Sequence, residues 1–268
     1  VRIAGTTALV TGATGAIGQA IARALAAQGA AVVLSGRRSA PLRALAEELG
    51  GRAITADLDD TDGPAALMDT AGPVDILVAN AGLFPVGPFT DRSIDDIDRV
   101  LAVNLRAPLV LARLAAVPMV RAGSGHIVVM SSMSGKVVQP GLALYNTTKF
   151  ALRGMALALR EDLRPHGVGV SGIYPGVVRQ AGMAARAGLT APRLLGSRTC
   201  EDVARAVVRA IGSDAAEVDV ASPVMRWGAR FAGVAPGLSS RVQRLVGMDE
   251  AVRRASGGGP LDRTANRR

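Results

Sequence analysis

Reactive side chains are scarce in this chain. Among 268 residues there is one cysteine, Cys200, and there are two histidines, His126 and His166. A single thiol excludes an intrachain disulfide and a cysteine-built zinc site, and it fits a reducing compartment such as the cytoplasm. Two histidines so far apart in sequence make metal or triad chemistry unexpected, and no metal site is expected. No uninterrupted apolar run reaches the roughly 20 residues that cross a bilayer. The opening Val1-Arg2-Ile3-Ala4-Gly5 offers no signal-peptide core before the first strand-like run, so secretion is not expected.

Lysine and tyrosine are nearly as rare. Of 31 basic residues only Lys136 and Lys149 are lysines, and Tyr145 and Tyr174 are the only tyrosines. The formal charge is +9, yet 223–268 alone carries nine arginines against Asp249, Glu250 and Asp262, leaving +3 for the first 222 residues. The excess belongs to a C-terminal extension and forms no basic stripe on a nucleic-acid motif, so no nucleic acid partner is expected.

What is present is an alternation of short apolar runs with helical patterns. Thr6–Val10 reads as a buried strand running into Thr11-Gly12-Ala13-Thr14-Gly15-Ala16-Ile17-Gly18, and an alanine-rich helix follows to Gly29. Strand, glycine turn and helix form a context for holding phosphate: glycines let the backbone approach it, and the helix start offers free N–H groups. A second strand, Ala30–Ser35, ends in Gly36-Arg37-Arg38. An acid at this place favours a free ribose 2′-hydroxyl and arginine accommodates a 2′-phosphate, so two arginines without an acid point to NADP(H) over NAD(H). Later strands are expected at 52–56, 74–79, 126–130, 168–174 and 217–221. A long helix from about Ser93 through Asn104 should kink at Pro108. Polar and glycine residues gather just after the strands, where open α/β sheets bind ligands. The expected fold is α/β: a doubly wound parallel sheet in one Rossmann-like domain, 1–222, with a basic extension, 223–268.

Tyr145 and Lys149 lie four residues apart on one helical face. An ammonium close to a phenol favours phenolate, so the pair is expected to lower the tyrosine pKa and make it a usable acid and base.

Taken together, the glycine turn, Asp57, Asn80-Ala81-Gly82, Asn104, Ser132, Tyr145 with Lys149, and Pro175-Gly176 resemble the short-chain dehydrogenase/reductase family, in its order and spacing, over about Thr6–Ala221. The resemblance implies a catalytic set of Asn104, Ser132, Tyr145 and Lys149. Tyr145 would exchange a proton with the substrate oxygen and Ser132 would hydrogen-bond that oxygen. Lys149 would hold the nicotinamide ribose and depress the tyrosine pKa, and Asn104 would bend its helix and support a proton-relaying water. For the cofactor it implies Gly12, Thr14, Gly15, Ile17 and Gly18 at the phosphates, Arg37 and Arg38 at the ribose, and Asp57 and Leu58 at the adenine. Asn80, Ala81 and Gly82 would brace the sheet beneath it, while Pro175, Gly176 and Val178 would meet the carboxamide. Ala16 stands where the classical branch has glycine, Gly15 where many NADP-dependent relatives are basic, and Gln180 where threonine is usual. Length, the Asn80 run and Ser132 place the chain with the classical branch.

The substrate is the least legible part. A small-molecule carbonyl or alcohol is implied, and Leu83, Phe84, Val86, Val137, Val138, Leu142, Leu144 and Met183 could line an apolar pocket or serve the core. Gln180–Ser197 has the small residues of a lid. The extension interleaves Trp227, Phe231, Val234, Leu238, Val242, Leu245 and Val246 with arginines, suiting helices packed on a subunit or laid on an acidic membrane. Its end, Gly257–Arg268, has a disordered composition. The family implies a homodimer or homotetramer. Two rival readings are a non-catalytic NADP(H)-binding regulator and a binder of membrane or nucleic acid through the tail.

Overall fold

The computed structural model describes residues 1–179, 196–235, 237 and 238. Most of the expected lid (180–195), Gln180 and Met183 with it, and the tail positions Val242, Leu245, Val246 and Gly257–Arg268 lie outside the described residues.

The elements in order are β1 (Thr7–Thr11), α1 (Ala16–Ala27), β2 (Ala31–Gly36), α2 (Ser39–Leu49), β3 (Arg52–Thr55), α3 (Gly63–Ala71) and β4 (Ile76–Ala79). Then come α4 (Ile94–Leu101), a π turn (Ala102–Arg106), α5 (Ala107–Ala122), β5 (Gly125–Met130), α6 (Ala143–Leu163), β6 (Val168–Pro175), α7 (Cys200–Ser213), β7 (Glu217–Val220) and α8 (Pro223–Val234). The strands form one sheet ordered β3-β2-β1-β4-β5-β6-β7, every pair parallel. Helices cover both faces, so central strands such as Ile76–Ala79 and Gly125–Met130 are buried throughout rather than alternating.

Side-chain alternation divides the core in two. Ala8 and Val10 of β1 face a layer with Ile21 and Leu25 of α1 and Val203 and Val207 of α7. Leu9 faces the other, with Leu67 of α3, Leu111 of α5 and Leu152 of α6. Local chemistry sets several boundaries. Ser93 caps α4 by accepting from Asp96 N–H, and Thr199 and Asp202 form a reciprocal capping box at α7. Cys200 is both the first residue of that helix and buried.

The long apolar helix differs from expectation. Its irregularity falls at Ala102–Arg106, one turn before Pro108. Proline has no N–H to donate to the Asn104 carbonyl four residues earlier, so the backbone widens ahead of it. The run Ile94–Ala122 has the length and hydropathy of a membrane span, but half of its most apolar window is buried in the protein, as in a core helix. The strand order reverses between β2-β1 and β4-β5, and the crevice at the carboxyl ends there is where doubly wound sheets receive a dinucleotide.

Candidate active site

The glycine turn sits at that reversal. Gly12 has φ +64°, and a Cβ there would come within 2.9 Å of Ala81 Cα; at Gly18 it would meet the Gly12 carbonyl at 2.3 Å. Both positions therefore require glycine. Asn80 ties β4 to β1: its Nδ2 donates to the Thr11 carbonyl (2.9 Å), while the N–H groups of Asn80 and Ala81 donate to Thr11 Oγ1 at 3.0 and 3.1 Å. Gly15 caps α1 without a side-chain bond, and no acid stands in the first turn, so the helix start carries unopposed N–H dipoles. Thr14 and Ile17 flank this turn, half-buried.

At the end of β2, Arg38 Nη2 donates to the Thr14 carbonyl at 2.8 Å and so bridges to the glycine turn. Arg37, Arg38 and Asp57 line one open cleft of about 1260 Å³, to which Asp95, Asp96 and Asp98 of α4 also contribute. Asp57 is exposed and its Oδ1 accepts from Asp59 N–H (3.1 Å), whereas Leu58 is buried. A tight turn closed to side chains at Gly12 and Gly18, set against a helix start with cations at the next strand, fits a phosphate-bearing dinucleotide.

The proton-transfer candidates converge one strand further along. Tyr145 and Lys149 lie on α6, both buried. Lys149 Nζ donates to the Met130 carbonyl at 2.9 Å, and a Cβ placed on Gly82 would lie 3.9 Å from it. Ser132 follows β5; its hydroxyl accepts from Ser134 N–H (3.1 Å) and lies 3.4 Å from the Pro175 carbonyl as donor. Asn104, in the π turn, grips the Leu83 backbone from both sides: Oδ1 accepts from its N–H (2.6 Å) and Nδ2 donates to its carbonyl (2.9 Å). Pro175 ends β6, Gly176 N–H donates to the Val220 carbonyl (3.0 Å), and Val178 is buried and bridged to Arg198. Phe84 meets the Tyr145 ring edge-on, with ring centres 4.6 Å apart.

One expectation is reversed. Burial pushes the Tyr145 phenol up to about 12, only partly offset by its hydrogen bond with Ser132, and burial pulls the Lys149 ammonium down to about 8. The ammonium lies 5.5 Å from the phenol ring centre and is turned to the Met130 carbonyl. At that separation, loss of water decides the sign for both groups.

Neighbours of the motif residues shape the site. Asn146 Nδ2 donates to the carbonyls of Ser134 (3.0 Å) and Val137 (2.9 Å), latching the loop after Ser132 to the helix of Tyr145. Thr148 Oγ1 donates to the Tyr145 carbonyl (2.9 Å) and accepts from Asn104 Nδ2 (3.3 Å). Ser131 Oγ donates to the Lys149 carbonyl (2.8 Å). Their signal was adjacency to the motifs, since each motif residue needs a neighbour to hold it.

The sequence pattern of the family described as short chain dehydrogenase matches residues 6–190. The chain belongs to the short-chain dehydrogenase family. A ketoacyl reductase of Nostoc sp. strain PCC 7120 is 37% identical over 227 residues, covering 81% of this chain and 79% of its own. Carbonyl reductase [NADPH] 2 of Sus scrofa is 36% identical over 182 residues, 67% of this chain and 75% of its own. The solved short-chain dehydrogenase of Sphingobium yanoikuyae in complex with NADPH superposes with a TM-score of 0.76 at 28% identity, covering 88% of this chain and 95% of that one. This short-chain dehydrogenase is therefore an oxidoreductase of a family that binds NAD(P) and acts on carbonyl or alcohol groups.

Proposed function

We propose that this short-chain dehydrogenase is NADP(H)-dependent and interconverts an apolar carbonyl compound with its secondary alcohol, with Tyr145 as general acid and base. The observation that carries the reading is the convergence of Ser132, Tyr145, Lys149 and Asn104 at one end of the sheet, beside a turn that admits no side chain at Gly12 or Gly18. The nicotinamide, when bound, supplies or accepts the hydride. Gly12, Thr14, Gly15, Ile17 and Gly18 would hold its phosphates, Asp57 and Leu58 its adenine, and Val178 its carboxamide.

The protein's own part is proton handling. In reduction the Tyr145 O–H donates to the substrate oxygen, and the Ser132 hydroxyl donates a hydrogen bond where negative charge develops. The Tyr145 phenol holds its proton at neutral pH, and Lys149, still cationic there, stabilises the phenolate left once that proton is given up. Asn104 fixes the Leu83 backbone across from Lys149 and keeps a polar route behind it. Preference for NADP(H) rests on Arg37 and Arg38 at the end of β2, where no acid is present to select a free 2′-hydroxyl. A homodimer or homotetramer in the cytoplasm completes the proposal. The deciding experiment is a panel of ketones, aldehydes and alcohols followed by NADPH absorbance, with NADH beside it. Turnover of apolar carbonyls with NADPH is expected, and equal use of NADH would overturn the cofactor assignment.

A further inference from the structure

Helix α8 has two apolar faces, and among the described residues only one is packed against the rest of the protein. Ala229 and Ala232 are buried, and Ala229 packs with Met225 against Met133, Tyr174 and Ala221. Met225 also closes over Gly176, where a Cβ would come within 3.1 Å of its sulfur. Val224, Trp227, Phe231 and Val234 recur at three- and four-residue intervals on another side of the helix. They are 51%, 68%, 45% and 88% exposed, and Leu238 extends the series at 51%. Arg226 and Arg230 are exposed along the ridge, the latter 5.2 Å from the Trp227 ring.

We infer that this ridge is a docking surface for an anionic phospholipid bilayer. An amphipathic helix with Trp, Phe and aliphatic residues on one face and arginine beside them suits the boundary between headgroups and acyl chains. Charge complementarity selects the partner. The stretch 223–248 has four arginines and no carboxylate, and the whole of 223–268 is net +6. A second copy applied by two-fold symmetry would bring this basic stretch against its own copy, with no acid in it to offset the like charge. An anionic lipid surface relieves it. Because α8 rests on Met133, next to Ser132, and on Gly176, docking would hold the candidate active site at the membrane. Resting on the proposed carbonyl chemistry, the substrate class narrows to compounds dissolved in the bilayer.

Trp227 is the chain's only tryptophan, so its fluorescence reports on this ridge alone. The full chain is titrated with vesicles of phosphatidylcholine and of phosphatidylcholine mixed with phosphatidylglycerol, with bromine-labelled lipids as quenchers. Mixed vesicles should shift the emission to the blue, and quenching should follow. Phe231→Asp should abolish both while leaving the thermal melt unchanged, and Arg226→Glu with Arg230→Glu should weaken partition more than about tenfold. Three outcomes overturn the inference: no spectral change with anionic vesicles, equal binding to pure phosphatidylcholine, or a lipid-free blue shift that follows protein concentration and a doubling of mass, which would make a second copy the occupant. Partition on vesicles by a chain that reduces no carbonyl would sink the proposed reaction and leave the membrane surface standing.

Discussion

The chain's two tyrosines and two lysines make two pairs, and the pairs are built for different ends. Lys136 Nζ lies 3.9 Å over the Tyr174 ring and bonds Asp219 (2.7 Å) and Glu217 (3.4 Å), with Glu217 also gripped by Arg153 at 2.9 Å. There each cation has a carboxylate. Lys149, beside Tyr145, has a backbone carbonyl and no ion pair among the described residues. An edge network that satisfies its charges adds to stability. A buried ammonium lacking a counter-ion costs stability and is free to stabilise charge that forms during a reaction.

The sharpest way to break this contrast is to exchange the hydroxyls. Tyr145→Phe should lower kcat by about 10²–10⁴-fold while cofactor affinity stays nearly unchanged. Tyr174→Phe should leave kcat alone, because the Tyr174 hydroxyl sits in the Glu217 network at the sheet edge, away from Ser132 and Lys149. Comparable activity losses in the two variants would erase the distinction.

Next in size is the cofactor end, which the contrast leaves to arginine. Replacing Arg37 and Arg38 together by alanine should weaken NADPH binding about a hundredfold, and NADH far less. Isothermal titration with each nucleotide checks this.

Thermal and denaturant melts then compare the lysines. Lys149→Met should abolish activity yet stabilise the fold by about 1–3 kcal/mol at neutral pH, since a fall in pKa from 10.5 to about 8 is a penalty on the buried cation. Between about pH 8 and 10 the unfolded chain keeps a proton here that the folded chain gives up, so this contribution makes stability rise with pH, and Lys149→Met should flatten the rise. Lys136→Met should go the other way, losing about 2 kcal/mol with activity kept, because it strands partly buried carboxylates.

The smallest effect concerns alignment. Asn146→Ala should lower kcat about tenfold with little change in KM by freeing the Ser132 loop from α6, and steady-state kinetics would show it. An unchanged kcat would mean the latch is structural only.

The strand and helix order was legible in sequence, because buried parallel strands and glycine turns leave local marks. Gly12 and Gly18 announced a turn whose tightness the structure explains. What stayed hidden depends on contacts far apart in the chain. The sign of the Tyr145 shift follows from burial, which a helical face alone does not reveal. The roles of Asn146 and Thr148 follow from loops that fold onto α6. The irregular turn falls at Ala102–Arg106, around Asn104, where the resemblance implies a bend, and not at Pro108 itself.

That π turn also sets a rule for chain length. A widened turn holds one residue more than the helix on either side can accommodate, so α4 and α5 count their apolar faces from different origins. Removing a single residue within 102–106 would let the two segments run in step, yet it would swing Asn104 away from Leu83. This stretch therefore tolerates exchange of side chains better than loss of one position, and an indel here would separate chains that keep the same helix but not the same site.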